Sequence, residues 1–144
     1  MYEYKIKEIT KVIDGDTVDI ILDLGFGLFK KERVRIAGID TPEKRTSDQD
    51  EKLLGYDATH YAEKWFGEDC NEIMVKTSKD GKYGRMLGWF YKGEECYNKK
   101  IVEDGYAWAY DGGTKIEKSI ESYEKLLKIR GFTSFSEYKS SKDD

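Results

Sequence analysis

An alternating strand that runs into the chain's only proline constrains this sequence more than any other feature. In Arg33-Val34-Arg35-Ile36 charged and apolar side chains take turns, so the arginines share one face of a strand and Val34 and Ile36 the other. Pro42 disfavours helix at Thr41 and has no N–H to give to a ladder, so the chain turns there. Asp40 and Glu43, on either side of that turn, can flank one cleft. The plainer reading, a strand ending in a polar turn with an incidental salt bridge, would suffice for an isolated Asp-Thr-Pro-Glu. Opposite charges gathered this closely suit a phosphate and a metal ion, and the rest of the chain favours that reading.

Two strand patterns come first. Ile6, Ile9, Val12 and Ile13 lie in a β-branched run, and Val18, Ile20 and Leu22 alternate with Asp19, Ile21 and Asp23. Asp14-Gly15 between them reads as a type I′ hairpin turn, which requires positive φ at both central residues. That leaves Asp16 unexplained. An EF-hand fails, because Asp19 stands where the loop glycine belongs and Gly25 where the bidentate glutamate belongs. Gly25-Phe26-Gly27 marks the next turn, after which the strand through Arg33 and Arg35 completes a meander.

Residues 44–51 read as a polar loop bordering a site. Residues 57–66 show the helical period, with Ala58, Tyr61, Ala62, Trp65 and Phe66 on one stripe and Gly67 as a stop. His60 lies off that stripe and receives no role. Residues 73–77 and 86–91 supply a fourth and fifth strand, joined by a turn holding Lys82, Tyr83 and Arg85. A short helix over 98–104 ends at Gly105. Thr114-x-x-Glu117 reads as a capping box opening a third helix, with Ile116, Ile120, Tyr123 and Leu127 on its core face and Phe132 and Phe135 packing back. The fold class expected is α+β, mainly β: a five-stranded OB-type Greek-key barrel with three helices, one domain over 1–138 and a frayed polar tail over 139–144.

Of the 144 residues, 38% are charged and the formal net charge is −4, so general affinity for phosphate backbones is not built in and any basic surface is local. Two cysteines make no disulfide framework, and free thiols are expected. No apolar run approaches a membrane span and no export signal is visible, so a cytoplasmic monomer without a membrane partner is the expectation.

Asp16 and Asp40 offer hard oxygen ligands, with the Thr41 carbonyl nearby. That set suits Ca²⁺ or Mg²⁺, with Mn²⁺ also admitted, and not zinc. Arg35 and Arg85 suit forked recognition of phosphate oxygens. Glu43 is left to handle a water. Cleaving a phosphodiester needs those functions together: charge neutralisation, a positioned nucleophile, and a donor near the leaving oxygen.

Val12-Ile13-Asp14-Gly15-Asp16-Thr17, the stretch from Arg33 to Glu43, and Lys82-Tyr83-Gly84-Arg85 resemble, in order and approximate spacing, the three signature stretches of the staphylococcal nuclease (thermonuclease-like) family. The likeness extends in outline from Ile9 to Gly131. It implies an OB-fold, Ca²⁺-dependent endonuclease acting on DNA and RNA, with single strands preferred, that leaves a 3′-phosphate and a 5′-hydroxyl. It further implies Asp16, Asp40 and the Thr41 carbonyl as Ca²⁺ ligands, Glu43 as the residue that orients or deprotonates water, and Arg35 and Arg85 as phosphate clamps. Lys82 and Tyr83 would contact the terminal phosphate or sugar. Tyr110 would fill one of two base-stacking positions, the other having no counterpart, at a cost in affinity of roughly 1–3 kcal/mol per stacked base. The rival reading is a nuclease-like OB module that binds nucleic acid or protein without cleaving. Loss of either arginine, Glu43 or a ligand aspartate would favour it, and all are present.

Overall fold

The computed structural model describes residues 2–78, 85–114 and 116–142. Strands β1 (Tyr2–Asp14), β2 (Thr17–Gly25) and β3 (Leu28–Ile36) form an antiparallel meander. A two-residue strand β4 (Ile39–Asp40) and helix α1 (Gln49–Phe66) follow, after which β5 (Ile73–Ser78) returns beside β1 and β6 (Met86–Lys92) pairs with β5. Parallel pairing of β6 with the end of β3, from Val34 opposite Met86 to Ile36 opposite Gly88, closes the five long strands into a barrel. The expected fold class is the observed one.

Closure depends on β1, whose register slips between Ile6 and Glu8, Ile9 and Lys11, and Val12 and Asp14. Each bulge adds a residue and a bend, so Ile6, Ile9 and Val12 all turn to the core at a spacing of three where a regular strand would require two. At the seam, a Cβ on Gly88 would lie 2.5 Å from Val34 Cγ1, so only glycine lets β3 and β6 approach. Buried Asn98 then locks the seam: its Nδ2 donates to Ala37 O (2.8 Å) and Gly88 O (2.9 Å), and its Oδ1 accepts from Phe90 N–H (3.1 Å). Val18, Ile20, Leu22, Val34, Ile36 and Phe90 fill the interior, capped by Phe66 of α1 and by Tyr97.

Helix α1 begins eight residues earlier than the periodicity over 57–66 suggested. Asp48 caps it, accepting from Asp50 N–H (2.9 Å) and Glu51 N–H (3.2 Å), so the segment 44–51 is only partly loop. Beyond β6 lie β7 (Glu95–Cys96), α2 (Tyr97–Glu103), β8 (Trp108–Ala109), α3 (Ile120–Ile129) and α4 (Phe135–Lys142), giving four helices among the described residues where three were expected. The capping box of α3 is Ser119 with Ser122, not Thr114 with Glu117. Ile116 to Lys118 stay non-helical, because Lys118 is drawn to Asp40 and to the face of Trp108. Cys70 and Cys96 are free and buried.

A second core joins Leu54 of α1, Trp108, and Tyr123, Leu126, Leu127, Phe135 and Tyr138 of the last two helices. Residues 139–142, expected in a frayed tail, are helical. Asp57 explains this: its carboxylate accepts from Tyr138 OH (2.5 Å), Arg130 Nη2 (2.9 Å) and Lys142 Nζ (2.7 Å). Burial pushes the Asp57 carboxyl up, but hydrogen bonds from Lys142, Tyr138 and Arg130 outweigh it and hold the group below the ordinary carboxylate value. A pKa lower in the folded state means that the unfolded chain binds the proton more readily, so Asp57 stabilises above the ordinary carboxylate pKa. That contribution is lost as pH falls through its depressed value. The melting-temperature gap between the protein and Asp57→Asn is therefore expected to shrink from about pH 7 to about pH 3; a constant gap would remove the ionic part of the interaction.

Candidate active site

Asp16 sits in the β1–β2 turn, and the reason for Gly15 is not the one the sequence suggested. Gly15 is not among the positive-φ residues, so the turn is not type I′. A Cβ at Gly15 would instead meet Thr41 Cγ2 and Ala58 Cβ, each at 2.9 Å, so glycine is needed for close approach of the turn to α1 and to the Thr41 segment. Tyr97 OH donates to Gly15 O at 2.7 Å and Lys44 Nζ to Ile13 O at 2.7 Å, tying the turn to α2 and to the loop after Pro42.

Asp40 does not end β3, as expected, but lies in β4 beyond a reversal at Gly38, whose φ is 79°. Arg35 shapes that reversal. Its Nη1 donates to Ile36 O and its Nη2 to Ile39 O, both at 2.8 Å, while Nη2 also lies 3.5 Å from Asp16 Oδ2. One guanidinium thus fastens the β1–β2 turn to the backbone that carries Asp40. Pairing of Asp40 with Trp108, and donation from Tyr110 N–H to Gly38 O (2.8 Å), hold the far side.

Asp14 and Asp16 share their negative charge unequally. Burial, then the hydrogen bond and charge of Asp16, push Asp14 up to about 7. Burial opposes ionisation of Asp16 as well, but the Asp14 hydrogen bond, the Arg35 charge and hydroxyls of Thr41 and Thr17 bring it below the ordinary value. Glu43 is exposed, and its carboxyl is raised by partial burial and by the charges of Asp16, Glu51 and Asp40, with Lys118 acting the other way. Its backbone N–H donates to Glu51 Oε2 at 2.8 Å.

The structure therefore brings Asp16, Arg35, Asp40, Thr41 and Glu43 together. Arg85 is exposed and immediately precedes β6, two residues before Leu87, the register partner of Arg35, so strand alternation puts both arginines on the outer face of the seam. The Tyr110 hydroxyl donates to Gly113 O at 2.9 Å. Lys82 and Tyr83, with the turn expected at Asp80-Gly81, lie outside the described residues. Sequence reasoning passed over Asp14, read only as a turn residue, Glu51, which positions the Glu43 backbone, and Lys118, whose Nζ lies 2.5 Å from Asp40 Oδ2 and 4.5 Å from the Trp108 ring centroid. No local pattern marks the last two, since both act across the fold.

Among the described residues no group of three or more His, Cys, Asp or Glu side chains is arranged to hold a metal ion. Two buried carboxylates, Asp16 and Asp40, beside the Thr41 backbone form a smaller, all-oxygen donor set, and their charges add to the effect of burial in raising Glu43. Such a set fits a hard divalent cation that completes its shell with water and phosphate oxygens. Lys118 already places an ammonium group against Asp40 Oδ2, so a cation at this site would use the other Asp40 oxygen or displace Lys118.

Residues 33–130 match the family described as staphylococcal nuclease homologue. The chain is 31% identical over 119 residues to a thermonuclease of Staphylococcus intermedius, covering 81% of this chain and 68% of that protein. It is 27% identical over 120 residues to a thermonuclease of Staphylococcus hyicus, with 82% and 68% covered. To endonuclease YncB of Bacillus subtilis it is 27% identical over 109 residues, with 73% and 49% covered.

Proposed function

The chain belongs to the staphylococcal nuclease homologue family, and from that membership in a family of nucleases we propose that it is a divalent-cation-dependent endonuclease. It hydrolyses phosphodiester bonds of DNA and RNA to 3′-phosphate and 5′-hydroxyl ends, with Ca²⁺ as the preferred ion and Mg²⁺ or Mn²⁺ as substitutes. The observation that carries the reading is the convergence of Asp16, Asp40, Thr41, Arg35 and Glu43 from three separate segments onto one side of the barrel.

The residues divide the work by their chemistry. Asp16 and Asp40, with the Thr41 carbonyl, would hold the cation, which supplies charge neutralisation for the phosphate. Glu43 orients a water and takes its proton; an exposed carboxyl whose basicity is raised by its neighbours suits that task. Arg35 spends its Nη1 and Nη2 donors largely on Ile36 and Ile39 carbonyls, so its first job is to hold the Asp16 turn and the Asp40 backbone in register, with its charge directed at the phosphate. Arg85, exposed on the same face, is the arginine free to fork onto phosphate and to assist the departing 5′-oxygen. Lys82, Tyr83 and Tyr110 are proposed as substrate contacts; a base stacked on the Tyr110 ring face leaves its hydroxyl bond to Gly113 in place.

The test is cleavage of denatured and duplex DNA, and of RNA, with Ca²⁺, with Mg²⁺ and with a chelator. Cleavage that appears with Ca²⁺ and stops on chelation is the expected result. A folded protein that retards DNA but cuts under none of these conditions would replace this reading with that of a binding module.

A further inference from the structure

The end of the barrel farthest from Asp16 carries a feature the proposed activity does not use. Gly25, Phe26 and Gly27 join β2 to β3 with φ of 83°, 58° and 75°, three left-handed residues in succession. Glycine adopts this conformation freely, whereas phenylalanine is strained in it. What the strain presents is the Phe26 ring, at 104% relative exposure and so without any packing role. Leu24, Leu28 and Phe29 are exposed beside it. The run from Leu24 to Phe29 thus places six residues with no polar side chain at the tip of a hairpin, in a chain that is 38% charged overall.

Positive charge begins immediately behind that tip. Lys30 and Lys31 follow on β3, and Lys7 Nζ lies 5.5 Å from the Phe29 ring centroid. Asp23 accepts the Gly25 N–H at 2.9 Å, and Glu32 and Lys30 compensate each other at 2.7 Å, so that among the described residues Lys7 and Lys31 are the cations near the tip without an ion-pair partner. We propose that the β2–β3 hairpin docks the protein on an anionic lipid bilayer, with Phe26, Leu24 and Leu28 entering the interface and Lys7 and Lys31 meeting the headgroups.

The order of chemistry along the hairpin selects this partner. At about 3.3 Å per residue Lys31 trails Leu28, where β3 leaves the turn, by roughly 10 Å, which matches apolar groups in the acyl boundary and ammonium groups at headgroup level. Single-stranded nucleic acid requires cations interleaved with the stacking rings, and residues 24–29 contain none. A second copy is disfavoured too. Among the described residues the outer part of β3 pairs only with β2, but that open edge carries Lys30 and Lys31, a pattern that opposes strand pairing between like copies. No helix of the described residues is long and apolar enough to cross a membrane, so the proposed contact is with a surface.

The test is co-sedimentation of the full chain with vesicles of phosphatidylcholine and with vesicles of phosphatidylcholine mixed with phosphatidylglycerol. The protein is expected to partition onto the anionic vesicles and little onto the neutral ones. Phe26→Asn removes the ring while placing there a residue tolerant of left-handed φ, so it should melt no lower than the parent yet lose about tenfold in partitioning. Lys31→Gln should lose about fivefold on anionic vesicles only. No partitioning by the parent, or equal partitioning by parent and Phe26→Asn, would overturn the proposal. So would a Phe26→Asn defect confined to oligonucleotide retention or to oligomeric state by light scattering, which would assign the tip to nucleic acid or to self-association.

Discussion

Glu43→Gln is expected to lower cleavage by about 10²–10⁴-fold while leaving the melting temperature nearly unchanged, the loss typical of removing a positioned general base. The substitution preserves shape and removes the negative charge together with the ability to accept a proton. Among the described residues nothing hydrogen-bonds the Glu43 carboxylate; the contact that anchors this residue runs from its backbone N–H to Glu51, and glutamine keeps it. Its charge also sits against those of Asp16, Asp40 and Glu51, so neutralising it relieves repulsion within the fold. The measurement is single-turnover cleavage of a defined single-stranded DNA with saturating Ca²⁺, beside a thermal melt. Cleavage within about threefold of the parent would take Glu43 out of the mechanism. Loss of cleavage accompanied by unfolding would show that the carboxylate has a structural partner after all.

Much of this site was legible because its parts announce themselves locally. Arg33 to Glu43 alternates and then turns at the only proline, and Asp16 follows a turn signal that does not need it. What sequence could not supply is how those parts are held. Gly15 looked like a residue chosen for its dihedral freedom, whereas it is the lack of a Cβ that matters, because α1 and Thr41 press against it. The start of α1 was hidden since Gln49 to Leu53 show little apolar period of their own; the Asp48 cap and the burial of Leu54 in the second core establish it. Thr114 and Glu117 formed a plausible capping box that lost to a long-range competitor, the attraction of Lys118 to Asp40 and Trp108. Period-two reasoning also failed to explain Ile6, Ile9 and Val12, because the bulges that bring all of them inward are set by barrel closure. Residues proposed to do chemistry sat in motifs, whereas Glu51, Asn98 and Lys118, which tie segments of the fold together, sat at unremarkable places in the chain.

That division gives a second large expected effect, at a residue that touches no reacting atom. Gly55→Ala is expected to slow cleavage by about 10²-fold, because a misplacement of about 1 Å at a catalytic group is enough for that loss. Gly55 lies inside α1, where alanine by itself would favour the helix by about 1 kcal/mol. The added Cβ, however, would lie 2.5 Å from Glu43 O and 2.6 Å from Lys44 N, both backbone atoms that cannot rotate away. Either α1 moves outward or the Glu43–Lys44 peptide does, and that peptide is pinned by Glu51 on one side and by Lys44 Nζ on Ile13 O on the other. Overpacking of this kind costs about 1–3 kcal/mol, so a modest net destabilisation should accompany a large kinetic loss. Leu127→Ala is the control. It empties a fully buried position in the second core and should cost more stability, about 2–5 kcal/mol, while cleavage measured well below the melting point stays close to the parent's. Rates that simply followed stability across the two variants would mean that Gly55 matters to the fold alone. A slow Gly55→Ala beside a fast Leu127→Ala would locate the effect in the spacing between α1 and Glu43.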